Sequence, residues 1–75
     1  MLMIEDDDRR VKEKLRFFHE EKVRVHVTRM NKEFWNGYLV NQKSDDVWTF
    51  KEDRLGEVFL FISDIFDIEQ FRGRM

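Results

Sequence analysis

The sequence predicts a mainly β protein, in which an N-terminal α-helix is followed by a five-stranded, strongly bent antiparallel sheet that forms a small barrel. Two observations support this prediction. The spacing of apolar residues changes near residue 20 from a helical period to the alternation of a strand. Beyond that point short apolar segments are separated by polar turns at close intervals, which is typical of a barrel whose closure removes exposed strand edges.

The helix is predicted over about residues 5–20. Its first four residues are acidic, and negative charge is favourable at the positive N-terminal end of the helix dipole. Val11, Leu15 and Phe18 then follow at helical spacing and form one apolar stripe. This stripe is expected to face the protein core.

The barrel is predicted over about residues 22–69. In its first strand Val23, Val25 and Val27 alternate with polar residues, which indicates a half-buried strand. The second strand contains Gly37, where the strong bend of a small barrel is expected to leave no room for a Cβ. The five predicted strands cover residues 22–28, 34–41, 47–51, 57–62 and 65–68.

The fourth strand is apolar at every position from Val58 to Ile62, so both of its faces require cover. A small barrel has only one inside. The other face is expected to lie either under the helix stripe or against another copy of the chain, which would also extend the sheet across subunits. The predicted oligomer interface consists of Val58, Phe59, Leu60, Phe61, Ile62 and Phe66.

The composition predicts one small domain, residues 1–75, with a short tail at residues 70–75. A chain of this length buries only roughly 60% of the surface of its unfolded form, so a partner subunit is expected to add stability. The sequence contains no cysteine, which excludes disulfides and thiolate metal sites. With 14 basic against 16 acidic residues and a net charge of -2, coating of nucleic acid by bulk positive charge is not expected.

Neither a membrane anchor nor an active site is predicted. The longest apolar run is far shorter than the roughly 20 residues that a membrane helix needs, so a cytoplasmic protein is expected. His19 and His26 lie on different predicted elements and lack the spacing of a metal site. The sequence has no glycine-rich phosphate loop and no nucleophile motif, so we expect no catalysis, cofactor or metal.

The order of elements resembles the Sm-like superfamily, which includes the LSm and Hfq proteins, over nearly the whole chain. The matching segments are GYL at 37–39 with Phe50 thirteen residues after the glycine, LGEVF at 55–59, and ISDI at 62–65. The resemblance implies an Sm-like (SH3-like) barrel and a homo-oligomeric ring of about five to seven subunits, closed by pairing the fourth strand of one copy with the fifth of the next. It further implies single-stranded RNA binding around the pore and a role in RNA metabolism.

Members of this superfamily present RNA-reading residues in the turn between the second and third strands. By spacing from Gly37, those places hold Lys43, Asp45 and Val47 here, in place of the family's aspartate, stacking residue and asparagine. A shifted alignment brings in other residues of the turn, and the corner before the last strand lies nearby. The candidate pore-loop residues are Lys43, Asp45, Asp46, Trp48, Ser63 and Asp64. Because Ser and Asp also stabilise turns through backbone hydrogen bonds, a structural role stays open.

A second candidate RNA surface lies on the helix. Arg9, Lys12 and Arg16 are spaced so that they share one helix face. A ring would repeat this face into a basic crown, and phosphate binding grows with the number of charges engaged. The alternative is an ordinary solvated face whose basic residues pair with neighbouring acids.

Two other functions stay open at this point. The first is a small SH3-like or Tudor-like barrel that binds a protein partner through Trp35, Tyr38 and Trp48. The second is an oligomeric scaffold that binds no nucleic acid. A protein-binding barrel is expected to be monomeric, whereas a ring is expected to have several times the 9.4 kDa mass of the chain.

Overall fold

The structure is a computed structural model that describes the backbone of residues 3–72 and the side chains of residues 9–72. Its first element is a helix, α1 (Met3–Glu21). The predicted helix is confirmed and extends slightly at both ends. Leu15 and Phe18 are buried and Val11 is half-buried, so the apolar stripe faces the core as expected. The acidic side chains at the start of the helix, and residues 73–75 of the tail, lie outside the described residues.

The end of α1 explains why the first strand starts later than predicted. Lys22 adopts the left-handed conformation (φ 56°), and its N–H donates to the carbonyl of His19 at 3.2 Å. The N–H of Val23 donates to the carbonyl of Phe18 at 3.4 Å. These two bonds satisfy carbonyls at the helix end in a Schellman-type cap. The chain therefore enters its first strand at Val25, and the prediction that this strand starts at residue 22 is wrong.

Five strands follow within the described residues. They are β1 (Val25–Arg29), β2 (Phe34–Ser44), β3 (Val47–Glu52), β4 (Gly56–Phe61) and β5 (Ile65–Gln70). The second strand is longer than predicted because Ser44 still pairs with Val47, which leaves only a two-residue turn at Asp45 and Asp46. The predicted fourth strand is one residue too long at its end, since Ile62 begins a 3₁₀ turn (Ile62–Asp64) that leads into β5.

The strands form one antiparallel sheet in the order β4-β3-β2-β1-β5. Leu60 of β4 and Ile68 of β5 come from opposite ends of this order, yet both belong to the same buried core. The sheet must therefore bend back on itself around that core. The pairing of β2 with β3 shifts register between Leu39 and Asn41 and again after Gln42, and such irregularities increase the bend of a strand. The predicted fold class is thus confirmed.

The helix packs on β5, β2 and the 3₁₀ turn. It leaves the outward face of β4 uncovered, since Phe59 is 55% exposed and Phe61 is 48% exposed. Of the two expectations for this face, cover by the helix stripe is therefore wrong. No helix within residues 3–72 is long and apolar enough to cross a membrane.

Candidate assembly and nucleic-acid interface

The two end strands of the sheet, β4 and β5, each have one edge that pairs with no other strand of the described chain. The N–H of Ile62 donates to the carbonyl of Asp46 at 2.9 Å, which sets the hydrogen-bond alternation between β3 and β4. By that alternation Glu57, Phe59 and Phe61 direct their backbone N–H and C=O groups away from β3. The free edge of β4 is therefore a row of unpaired backbone groups.

The predicted interface residues fall into two groups. Leu60 and Ile62 are buried in the core of the chain itself, and Val58 is half-buried against it. Their side chains are not available to another subunit. The exposed group consists of three phenylalanines: Phe59 and Phe61 on β4, and Phe66 of β5, which is 70% exposed. A partner chain could contact these three side chains at the two sheet edges.

The two predicted pore corners lie side by side. The hydrogen bond from Ile62 to Asp46 joins the β2–β3 turn to the start of the 3₁₀ turn. Lys43, Asp45, Asp46 and Ser63 are all exposed in this region. The Lys43 Nζ lies 5.6 Å from the centre of the Phe59 ring, within the range of a cation–π contact.

The β2–β3 turn is acidic and internally bonded. The Ser44 hydroxyl accepts from the Asp46 N–H at 3.4 Å, and the Ser44 carbonyl accepts from Gln42 Nε2 at 3.0 Å. The carboxylates of Asp45 and Asp46 form no ion pair with any described side chain. Two exposed negative charges therefore lie where the resemblance places an RNA site.

Asp64, at the second corner, has a structural partner. Its Oδ2 accepts from Arg29 Nε at 2.6 Å, and its backbone carbonyl accepts from the N–H of Met30 at 2.9 Å. Arg29 also donates to Glu33 Oε1 at 3.0 Å and lies over the Trp35 ring, 4.3 Å from its centre. Asp64 therefore ties the β1–β2 hairpin to the last corner of the chain.

Trp48 is only 4% exposed, and the His19 ring meets it edge-on at 5.2 Å. A base cannot stack on it from solvent, which removes Trp48 from the pore-loop candidates. The predicted protein-binding groove is affected too. Trp35 is half-buried and stacks on Phe50 at 6.2 Å, so only Tyr38 of the three predicted anchors is exposed. The three side chains do not form an open aromatic groove.

The three basic residues of the helix surface, Arg9, Lys12 and Arg16, are all exposed. None of them forms an ion pair with a side chain in residues 9–72. By helical spacing Glu13 and Glu20 adjoin them on the same side of α1. The face is therefore basic at its centre and bordered by acids.

Glu52 is a structural residue at the end of β3, one position beyond the end that the sequence predicted for the third strand. It is 3% exposed, and its carboxylate accepts three backbone N–H groups, from Asn36, Arg54 and Leu55, at 3.2, 2.8 and 2.9 Å. Burial opposes the charged form, but these three donors outweigh it, so the pKa of Glu52 is lowered from its usual value. The available signal was an acidic residue directly before a turn, from which its side chain can reach the turn's N–H groups.

Comparison of the sequence with protein-family models finds no match, and comparison with curated protein sequences finds none either. Among the described residues no group of three or more histidine and carboxylate side chains could hold a metal ion. A functional interpretation therefore depends on the fold itself, which has one helix, a bent antiparallel sheet and two free sheet edges that carry exposed phenylalanines.

Proposed function

We propose that the chain is a non-catalytic, Sm-like protein that assembles into a homo-oligomeric ring of about five to seven subunits and binds single-stranded RNA on that ring. The supporting observation is the pair of free edges. β4 and β5 are each six residues long and lie at opposite ends of one sheet. Pairing β4 of one copy with β5 of the next is a head-to-tail arrangement, which repeats until the rotation closes a ring.

The exposed phenylalanines support the same pairing. A strand edge with unpaired backbone groups is an association site, and most monomeric proteins protect such edges. Here both edges carry large apolar side chains that are about half exposed or more. Burial of apolar surface contributes about 25 cal/mol for each Å² removed from water, so burying these rings would add hydrophobic free energy to the strand pairing.

Sedimentation velocity or light scattering over a range of dilutions tests the assembly. We expect the wild-type protein to have several times the 9.4 kDa mass of one chain. The double variant Phe59→Ser/Phe61→Ser should be a folded monomer, because serine removes the apolar surface that the edge pairing would bury. Phe34→Ser is the matched control, since Phe34 is 56% exposed but lies on the central strand β2. A wild-type monomer at every concentration would refute the ring.

The proposed RNA surface is the exposed helix face of Arg9, Lys12 and Arg16. A ring would place several copies of this face around one axis, so one RNA strand could bind several subunits. Binding of this kind releases counterions and weakens steeply with salt. The net charge of -2 does not prevent it, because the three basic residues are concentrated on one surface.

Binding of short oligo(U) and oligo(A), measured by fluorescence anisotropy at several salt concentrations, tests this surface. The slope of log K against log salt is negative for such binding. Changing Arg9, Lys12 and Arg16 to Ala should reduce its magnitude by about 0.7 for each phosphate that is no longer neutralised. The control changes Lys22, Lys32 and Lys51 to Ala, which removes the same charge from exposed positions elsewhere. An unchanged slope in the helix variant would exclude the helix face as the RNA site.

A second candidate function is an oligomeric scaffold that binds no nucleic acid. The specific observation is the pair of exposed carboxylates at Asp45 and Asp46, which a ring would repeat around its axis. Repeated negative charge repels phosphate. A stable ring that fails to bind both oligonucleotides at low salt would favour the scaffold over the RNA-binding protein.

A further inference from the structure

One hydrogen bond shows which residues of β5 direct their backbone N–H and C=O groups toward its free edge. The N–H of Phe71 donates to the carbonyl of Arg24 at 2.8 Å, which identifies these two residues as a hydrogen-bonded pair in the ladder of β1 and β5. Hydrogen-bonded and non-bonded pairs alternate in an antiparallel ladder. Ile68, which faces Val27 three positions away, is therefore in a non-bonded pair, and its backbone groups point away from β1. Ile68 lies near the middle of the free edge.

A lysine of α1 already occupies this position. The Lys14 Nζ donates to the Ile68 carbonyl at 3.2 Å and to Glu69 Oε2 at 2.6 Å, and it lies 3.8 Å from Asp67 Oδ1. A strand that paired with β5 would run about 4.8 Å away and place its own N–H about 2.9 Å from the same carbonyl. The ammonium group and an incoming strand therefore compete for one place.

Apart from Lys14, the region beside β5 has room for a docked strand. A groove of about 560 Å³ runs between α1 and β5, and its apolar lining includes Val11, Met30, Ile65 and Phe66. The side chains of a docked strand could lie in this groove. The obstacle at the centre of the edge is the Lys14 side chain, which reaches the edge from α1, and cover of a strand edge by a neighbouring helix is one of the devices by which proteins protect free edges.

We propose that Lys14 is an edge guard, an autoinhibitory group that opposes the docking of β4 from a second copy onto β5 and so sets the strength of assembly. This inference rests on the proposed edge-to-edge assembly. Each new subunit interface requires the Lys14 ammonium group to leave the Ile68 carbonyl. Lys14 therefore protects the free edge of β5 until β4 of a second copy replaces its hydrogen bond to the Ile68 carbonyl.

Lys14→Met tests the guard, because methionine keeps the unbranched stem and removes the ammonium group. We expect the dissociation constant of assembly to fall by about fivefold per interface, the size of one net hydrogen bond. Lys51→Met is the matched control, since Lys51 is exposed on β3, which pairs with a strand on both sides, and should leave assembly unchanged. Glu69→Gln weakens the hold on Lys14 and should shift assembly in the same direction by a smaller factor.

A second measurement distinguishes a guard from a simple helix clamp. In the Phe59→Ser/Phe61→Ser background, where assembly is prevented, Lys14→Met should lower the thermal midpoint because the ammonium group no longer holds α1 to β5. A guard thus changes folding stability and assembly strength in opposite directions. A clamp would lower both.

The possible results separate the guard from the assembly itself. A wild-type oligomer whose dissociation constant is unchanged or raised by Lys14→Met overturns the guard and leaves the ring in place. Wild-type and Lys14→Met proteins that both stay monomeric at every concentration overturn the ring and the guard together. A wild-type oligomer whose dissociation constant falls on Lys14→Met, with no change in the control variant, supports both.

Discussion

Gly37 shows how one residue limits the shape of the sheet. A Cβ at this position would lie 1.9 Å from the backbone oxygen of Lys51 on the neighbouring strand. No side-chain adjustment can relieve this clash, because the obstacle is backbone. The crowding expected at the bend of the second strand is thus confirmed.

Gly37→Ala should therefore lower the free energy of unfolding by more than about 3 kcal/mol, or prevent folding, since β2 and β3 would have to separate. Gly56→Ala is the comparison. Gly56 has φ 84° and no atom within 4 Å of an added Cβ, so only the left-handed backbone is strained, at about 1–2 kcal/mol. Urea unfolding measures both values. Equal losses of stability at the two glycines would contradict the close approach at Gly37.

Glu52 is the second residue on which the local structure depends. Its carboxylate binds N–H groups from β2 and from the β3–β4 turn, so it connects two separate parts of the sheet. Its pKa is lower in the folded state than in the unfolded chain. A lowered folded-state pKa stabilises the fold fully above the unfolded-state pKa, and this contribution is lost as pH falls through the folded-state pKa.

Glu52→Gln should lower the free energy of unfolding at pH 7 by about 1–2 kcal/mol, because the neutral amide is a weaker acceptor and offers one oxygen in place of two. The difference from wild type should shrink as the solution becomes more acidic than the unfolded-state pKa of about 4.3. Thermal unfolding at a series of pH values provides the measurement. Glu20→Gln, at an exposed position on α1, should change little, and a constant difference at Glu52 across all pH values would exclude the charged-acceptor role.

At the scale of elements, the tie between Arg29 and Asp64 decides how the β1–β2 hairpin meets the corner before β5. Both side chains are partly buried, at 22% and 29% exposure. The sequence placed Asp64 among the RNA-binding candidates because of its position before the last strand. Its partners in the structure favour a structural role, since an RNA ligand would have to displace Arg29.

Asp64→Asn should lower the free energy of unfolding by about 1 kcal/mol, because the ion pair is removed while one oxygen acceptor stays. RNA affinity of the folded assembly should not change. Asp45→Asn, at the exposed turn, is the control and should change stability by less than about 0.5 kcal/mol. Chemical unfolding and anisotropy on the same samples give both values. Loss of RNA binding without loss of stability at Asp64 would restore its place in the RNA site.

At the scale of the whole molecule, the proposed ring makes folding stability depend on protein concentration. A short chain buries a limited fraction of its surface, so a neighbouring subunit in the proposed ring would add a large share of the total. Ligands and subunits that bind only the folded state raise its stability by mass action. The edges of the sheet are where this added stability would arise.

The thermal midpoint of the wild-type protein should therefore rise with concentration, by several degrees over a hundredfold range. The Phe59→Ser/Phe61→Ser variant should show one midpoint at all concentrations. Differential scanning calorimetry measures both series. A wild-type midpoint that is independent of concentration would contradict an assembly that contributes to stability.

The sequence predicted those features that depend on the spacing of residues along the chain. The stripe of Val11, Leu15 and Phe18, the alternating valines of β1 and the glycine in β2 each reflect local periodicity or local crowding. The edge phenylalanines were found because a strand that is apolar at every position needs cover on both faces. Which of its residues would be exposed depended on which face the core used, and periodicity alone does not specify that choice.

Patterns within single segments were enough to predict the class of fold and to show that β4 carries more apolar surface than one core face can bury. The folded structure was needed to show that Trp48 is buried, that Asp64 binds Arg29, that Glu52 holds a turn, and that Lys14 occupies the edge of β5. Each of these depends on residues far apart in the chain. The bend of the sheet and the position of the helix on it bring these residues into contact, and no local sequence pattern specifies either.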